Sequence, residues 1–370
     1  MKKILITGGA GFIGSHLADE LISNGYSVRV LDNLSEQVHG ADAVRPEYLN
    51  PEAELIIGDV RDRNAVDRAL QGVDAVYHFA AMVGVGQSMY QIKDYTDVNN
   101  VGPAVLLEAL IENPVKKLVV ASSMSIYGEG LYTDNSGATF HQMSRNLSDL
   151  RNQNWETYSN GGEALTPLPT PENKTPNLSS VYALSKYDQE RLCLITGAAY
   201  NIPTTALRFF NVYGTRQALS NPYTGVLAIF ASRLLNNNSP MLFEDGNQKR
   251  DFVHVKDVAR ACRLALENPA ADGEVFNIGS GNQYTVSFIA DKLAEVMNKN
   301  IKPEISGKYR VGDIRHCFAD LSKAKALLGY EPQVRFDDGL RELADWLEGQ
   351  IAVDSVSRAN EELALRGLTV

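Results

Sequence analysis

The sequence predicts an α/β fold, a doubly wound parallel sheet covered by helices on both faces, with a smaller mixed α/β lobe attached. Three observations predict it. Short apolar, β-branched runs alternate with stretches of helical periodicity from the start of the chain. The first two of those runs are joined through the glycine spacing Gly8-x-x-Gly11-x-x-Gly14. The chain has 370 residues, 44% hydrophobic and 22% charged, which is long enough for two lobes and apolar enough to bury a core.

The elements follow in order. Residues 3–7 read as a buried strand. Residues 12–23 carry apolar side chains at helical spacing, at Phe12, Ile13, Leu17, Leu21 and Ile22. Residues 27–32 (SVRVLD) are strand again. This is a βαβ unit of Rossmann type. Gly8 permits the tight turn, Gly11 lets backbone approach a pyrophosphate, and Gly14 lets the helix pack on the strand. The helix start at Phe12 and Ile13 offers free N–H groups to phosphate. Asp32, followed by Asn33, closes the second strand. A carboxylate there accepts from ribose hydroxyls and repels a 2′-phosphate, so the expected cofactor is NAD. Two later strands end in Asp59-Val60 and in Phe79-Ala80-Ala81, at the end of the sheet where ligands bind. Asp59 suits the adenine amine, or caps the following helix. Residues 118–122 form another strand, with Ser122 and Ser123 at its end.

Charge and composition exclude several classes. Thirty-five basic against forty-five acidic residues leave a net charge of −10, which disfavours binding to nucleic acid. Three scattered cysteines without CxxC spacing argue against a disulfide framework or a cysteine-rich zinc site. No His/Asp/Glu cluster has metal spacing, so no metal is expected. The apolar run at 4–7 is too short for a signal peptide, and no stretch is long enough to span a membrane. A cytoplasmic protein is expected.

A catalytic group stands out further along. Tyr182 and Lys186 (YALSK) lie four residues apart and share a helix face. A tyrosine is a poor base at neutral pH. A neighbouring ammonium and a cationic nicotinamide favour its phenolate, which can then take a proton from an alcohol. Ser123 is placed to orient that alcohol.

Together these segments resemble the extended short-chain dehydrogenases/reductases, and within them the nucleotide-sugar epimerases and dehydratases. The resemblance runs from residue 1 to about 348. It is carried by TGGAGFIG at 7–14, HFAA at 78–81, NNVGP around Asn99, SSMSIYG at 122–128, YALSK at 182–186, RFFNVYG at 208–214, DGNQKRDFVHVKDV at 245–258 and RVGDIRHCFAD at 310–320. It implies tightly held NAD contacted also by Asn99, Ser122 and Phe209, and a nucleotide-diphosphate sugar as substrate. It implies that Tyr182 deprotonates the sugar, usually at C4. Asn211 would contact the sugar or its pyrophosphate. Arg250 and Arg310 would clamp the diphosphate, with Asp313 bonding a ribose hydroxyl or orienting Arg310. Ser125 and Val83 would face the sugar. Dehydratases of this family carry Thr-Asp-Glu where this chain has Ser123-Met124-Ser125, which favours an epimerase. The helices near 101–112 and 182–199 resemble those through which family members pair, so a homodimer is expected.

The resemblance implies a Rossmann domain over 1–210, to which 253–277 returns. The sugar lobe would be 211–252 with 278–350, and 351–370 a tail without assigned chemistry. Two features depart from the family. Residues 130–178 form a polar insertion, which either lids the sugar pocket or lies on the surface. The apolar run Met82–Met89, with 121–132, resembles the group that epimerises dTDP-L-rhamnose at C4. An apolar pocket suits a 6-deoxy sugar, because a buried, unpaired hydroxyl costs roughly 1–3 kcal/mol. UDP-glucose or UDP-glucuronate 4-epimerase, a 4,6-dehydratase and a noncatalytic NAD-binding protein remain the alternatives.

Overall fold

A computed structural model describes residues 2–42 and 44–369. Its centre is a seven-stranded, all-parallel sheet: β1 (Lys3–Thr7), β2 (Ser27–Asp32), β3 (Glu54–Ile57), β4 (Ala75–His78), β5 (Lys117–Ser123), β6 (Thr204–Phe209) and β7 (Val275–Ile278), in spatial order 7-6-5-4-1-2-3. Strand order reverses between β1 and β4. That is the topological switch point, where a crevice opens at the strands' C-terminal ends.

Helices cover both faces. α1 (Phe12–Ser23) and α6 (Val255–Glu267) pack on one face, where Leu17, Leu21, Val258 and Cys262 meet Ile4, Ile6 and Phe276. α2 (Arg63–Leu70), α3 (Gly102–Glu112) and α4 (Val181–Tyr200) cover the other, where Val66, Leu106, Leu110 and Cys193 meet Leu5, Val76 and Val120. The alternation along each strand assigns its two sets of side chains to the two cores. A third core joins α5 (Val226–Leu235), α7 (Val286–Val296) and α8 (Phe336–Leu347) through Leu227, Phe230, Leu293, Leu340 and Leu343. This smaller lobe sits across the crevice from the glycine turn.

The insertion forms a three-stranded antiparallel sheet from 131–133, 139–140 and 166–168. A buried ionic network holds it to the lobe. Arg145 pairs with Glu129 at 3.0 Å and Glu244 at 2.8 Å, and Arg315 pairs with Glu244 at 2.9 Å and Asp245 at 2.6 Å. The segment 351–369 continues into α9 (Val356–Leu365), which packs back against the lobe through buried Val356, Ala359 and Leu363.

Candidate active site

A cleft of roughly 880 Å³ lies over the switch point, and it gathers every site residue expected from the sequence except Asn99. Its cofactor end is built from the glycine turn. A Cβ on Gly8, whose φ is +70°, would meet Ala80 N at 2.7 Å. One on Gly14 would meet Gly8 O at 2.5 Å. Above Gly11 the nearest non-adjacent atom among the described residues is Gly8 O at 3.5 Å, and the cleft opens over that backbone. No side chain caps the start of α1, which leaves its first N–H groups to a ligand. Asp32 is fixed by Ala10 N at 3.0 Å and Leu34 N at 2.9 Å, with lone pairs to spare for hydroxyl donors. His39 lies 3.8 Å from Asp32, and burial lowers its pKa. These residues fit the adenosine diphosphate part of a dinucleotide.

Asp59 sits beside Asn33, which donates to it at 3.1 Å, and Arg61 grips it with two bonds of 2.8 and 2.7 Å. The Arg61 guanidinium holds its carboxyl down at about 2. Asp59 does not cap the next helix. Asp62 does so, accepting from Asn64 N.

The reaction centre lies where β5 meets α4. Ser180 caps α4 by accepting from Ala183 N at 3.1 Å. Ser88 accepts from Tyr182 N at 3.0 Å and so ties the apolar 82–89 segment to that helix. Ser123 donates to Ser125 Oγ at 3.1 Å. Burial pushes the Tyr182 phenol above its ordinary pKa, and the Ser123 hydroxyl pulls it back. Lys186 is buried and held down at about 8; its ammonium donates to Gln189. In the chain alone burial raises Tyr182 and only the Ser123 hydroxyl opposes it, so the expected lowering by Lys186 is not present. Lys186 also helps hold the buried, neutral His78 at about 3, although burial is the larger cause.

Several expected contacts take a different form. Asn99 lies behind the wall, fully buried in a single π-helical turn at 97–101. It grips both backbone groups of Met82, at 2.8 and 3.0 Å, and donates to Ser185 Oγ at 3.0 Å. Ser122 turns its hydroxyl to Glu190 at 2.6 Å, and Glu190 is paired in turn with Arg208. Arg250 spends its terminal nitrogens on the carbonyls of Lys249, Ile314 and Arg315, which leaves Nε–H and one Nη–H. It does not pair with Asp251, which accepts from Ser280, Gly281 and Ala319. Arg310 is oriented by Asp313 through bonds of 3.0 and 2.9 Å and lies 5.2 Å over the Phe243 ring. The buried Oδ1 of Asn211 has no partner among the described residues, as expected of an atom kept for a ligand.

The insertion does not form a lid. Among the described residues lining the cleft, none comes from 130–178. Its polar groups are committed to the ionic network instead. Sequence reasoning missed Gln37, Gln87 and Asn221, whose amides bond across the cleft mouth at 3.1 Å. It also missed α9, whose Val356, Ala359, Asn360 and Leu363 line the far end. No spacing signal marks these, because they meet only in the folded chain. Among the described residues no three His, Cys, Asp or Glu side chains are placed to hold a metal, and no helix is long and apolar enough to cross a membrane.

Comparison with known proteins places this geometry. The model of the "NAD dependent epimerase/dehydratase family" matches residues 4–145 and 156–279. A dTDP-L-rhamnose 4-epimerase from Burkholderia thailandensis is 35% identical, over 95% of this chain and 96% of its own. A UDP-glucose 4-epimerase from Thermotoga maritima, solved with UDP-glucose, superposes with a TM-score of 0.76 at 33% identity, over 94% of this chain and 98% of its own. A UDP-glucuronic acid 4-epimerase from Bacillus cereus, solved with UDP-glucuronic acid and NAD, gives 0.77 at 29% identity, over 94% and 99%.

Proposed function

Because the chain belongs to the NAD dependent epimerase/dehydratase family, we propose that it is a nucleotide-sugar 4-epimerase acting on a dTDP-linked 6-deoxy-hexose such as dTDP-L-rhamnose. The observation that carries the reaction is the meeting of Ser123, Tyr182 and Lys186 in one cleft, with Met124 and Ser125 where a dehydratase would need an acid and a base.

Bound NAD supplies the positive charge that favours a phenolate and a reversible acceptor for the hydrogen on the sugar's C4. Tyr182 Oη takes the proton of the C4 hydroxyl and later returns it. Lys186 contributes a second positive charge from the next turn of α4, and Ser123 Oγ orients the hydroxyl. Arg310, held by Asp313, binds the diphosphate, while Asn211 Oδ1 accepts from the sugar or its linkage. Tethered only there, the keto sugar turns over within the cleft and presents its other face. Burial of the site excludes water, which keeps the keto intermediate from being lost.

The 6-deoxy preference rests on the apolar wall of Met82, Val83 and Val85, which offers a methyl group contact and a hydroxymethyl or carboxylate group no side-chain partner. Exposed Val101, Ile111, Leu184 and Ile195 on and beside α3 and α4 support a homodimer through those helices. The acidic chain, with its three buried free cysteines, suits the cytoplasm, where its product would feed polysaccharide synthesis.

The test is proton NMR of the purified protein with dTDP-L-rhamnose, UDP-glucose, UDP-glucuronate and dTDP-glucose in separate tubes. A new C4 epimer from dTDP-L-rhamnose alone is expected. Turnover of a UDP-sugar instead refutes the substrate, and a 4-keto-6-deoxy product from dTDP-glucose refutes the epimerase.

A further inference from the structure

The far end of the cleft, beyond Arg310, is walled by the last segment of the chain. Phe243 offers its ring there, beside Met241 and Leu242. Opposite stands α9, with Leu363 only 2% exposed and Asn360 half-buried and facing Met241.

This segment is strapped down at both ends. Asp354 pairs with Arg233 at 3.0 Å, both largely buried, and Asn236 donates to Ala352 O at 2.9 Å. At the other end Val311 N donates to Leu368 O at 2.9 Å, and Arg310 and Thr369 form an antiparallel bridge. The backbone that carries Arg310 is therefore the backbone the tail is zipped to. Between the straps, Arg366 lies 4.5 Å over the Tyr90 ring.

The chamber is apolar with two amides in it. Gln248, 6% exposed, donates to Phe243 O, and its Oε1 has no partner among the described residues. Asn360 donates only to the Met241 sulfur, a weak acceptor, at 3.4 Å. An apolar chamber with an unspent acceptor and a weakly engaged amide suits an aromatic ring with an imide edge, which is the edge shared by uracil and thymine.

We propose that the 351–369 segment completes the nucleotide-base pocket and that Asn360, with Gln248, reads the imide edge of a pyrimidine. This rests on the nucleotide-sugar reading and adds to it a recognition residue on the tail. Cytosine carries an acceptor at N3 where uracil carries N3–H; the Gln248 amide is held in one orientation by its bond to Phe243 O, so its Oε1 meets that acceptor and keeps cytosine from seating against Asn360.

The experiment is calorimetric titration of the purified holoenzyme with UDP, dTDP and CDP, none of which can be epimerised. The wild type binds UDP and dTDP more tightly than CDP. Asn360→Leu weakens UDP and dTDP about tenfold or more and leaves CDP nearly unchanged, so the preference collapses. Asn360→Asp, of the same size, lowers the UDP-to-CDP preference too and covers the case in which the leucine variant does not fold. Asp354→Asn, which loosens the strap without touching the pocket, weakens UDP and dTDP as well. Unchanged UDP and dTDP binding in a folded Asn360 variant overturns the proposal, as does an equal loss for all three nucleotides. A wild type that binds none of them overturns the nucleotide-sugar reading itself.

Discussion

Replacing Lys186 with methionine separates what this residue does for catalysis from what it costs the fold. Burial lowers its pKa from 10.5 to about 8. At 1.36 kcal/mol per unit, keeping the folded chain's ammonium charged costs about 3 kcal/mol at neutral pH. Between pH 8 and pH 10.5 the unfolded chain binds a proton here that the folded chain has released, so wild-type stability rises with pH across that window. Below pH 8 both states are protonated and the full cost is felt. Lys186→Met removes the titration. It also removes the donor to Gln189, whose Nε2 already has no partner among the described residues, a loss of about 1–3 kcal/mol that does not depend on pH. The sharp expectation is therefore the change in the gap. In urea denaturation of cofactor-stripped protein, the difference between variant and wild type moves in favour of wild type by most of about 3 kcal/mol from pH 7 to pH 10.5. Turnover falls at every pH. A stability gap that does not vary with pH would falsify the reasoning, since it would mean that Lys186 is solvated or ion-paired in the folded chain.

Three further outcomes are expected. Tyr182→Phe lowers kcat by about 10²–10⁴ while nucleotide-sugar affinity measured by calorimetry stays within a few-fold; full turnover would remove Tyr182 as the base. Arg310→Ala raises KM for the nucleotide sugar by about 1.5–3 kcal/mol of lost charge-assisted bonding, with Asp313→Asn giving a smaller rise, and equal KM values in all three proteins would refute the clamp. Arg145→Ala leaves Glu129 and Glu244 buried with less compensation and destabilises the protein by about 3–5 kcal/mol in chemical denaturation; a change in KM without loss of stability would return the insertion to the role of a lid.

The glycine turn, Asp32 and the Tyr182–Lys186 pair were legible because each is a local signal, in which a backbone turn or a helical period fixes the geometry within a few residues. Ser123 was legible as a strand-end residue for the same reason. The contacts the sequence did not reveal all concern partners distant in sequence. Arg250 has the right residue type and lines the cleft, but Ile314 and Arg315, just ahead of the strand residues His316 and Cys317, bring carbonyls to two of its N–H groups. Asn99 matched a family position, yet the π-helical turn aims it at the Met82 backbone rather than into the cleft. The insertion was compatible with a lid or with a surface excursion because it is polar and follows Ser123 in sequence. Its charges proved to be matched to Glu244 and Arg315 on the lobe, a pairing no local pattern reveals. The tail gave no signal because what it lines depends on where it docks.

The sheet's outermost strand carries a consequence for how the molecule can be divided. β7 is made from residues 275–278, after most of the first half of the lobe, and it pairs with β6 in register from Val275 opposite Ala206 to Ile278 opposite Phe209. A fragment ending at residue 210 would leave one side of β6 as a bare hydrogen-bonding edge, flanked by the fully buried side chains of Thr205, Ala206 and Leu207. Such an edge recruits other chains. The two lobes are therefore interleaved and cannot be exchanged like cassettes. Recombination that swaps the sugar lobe for another must carry β7 and α6 across with matching contacts, or must leave 253–278 in place and graft two separate pieces around it. Substrate range in such a chain is more readily altered residue by residue along the cleft than by exchange of whole modules.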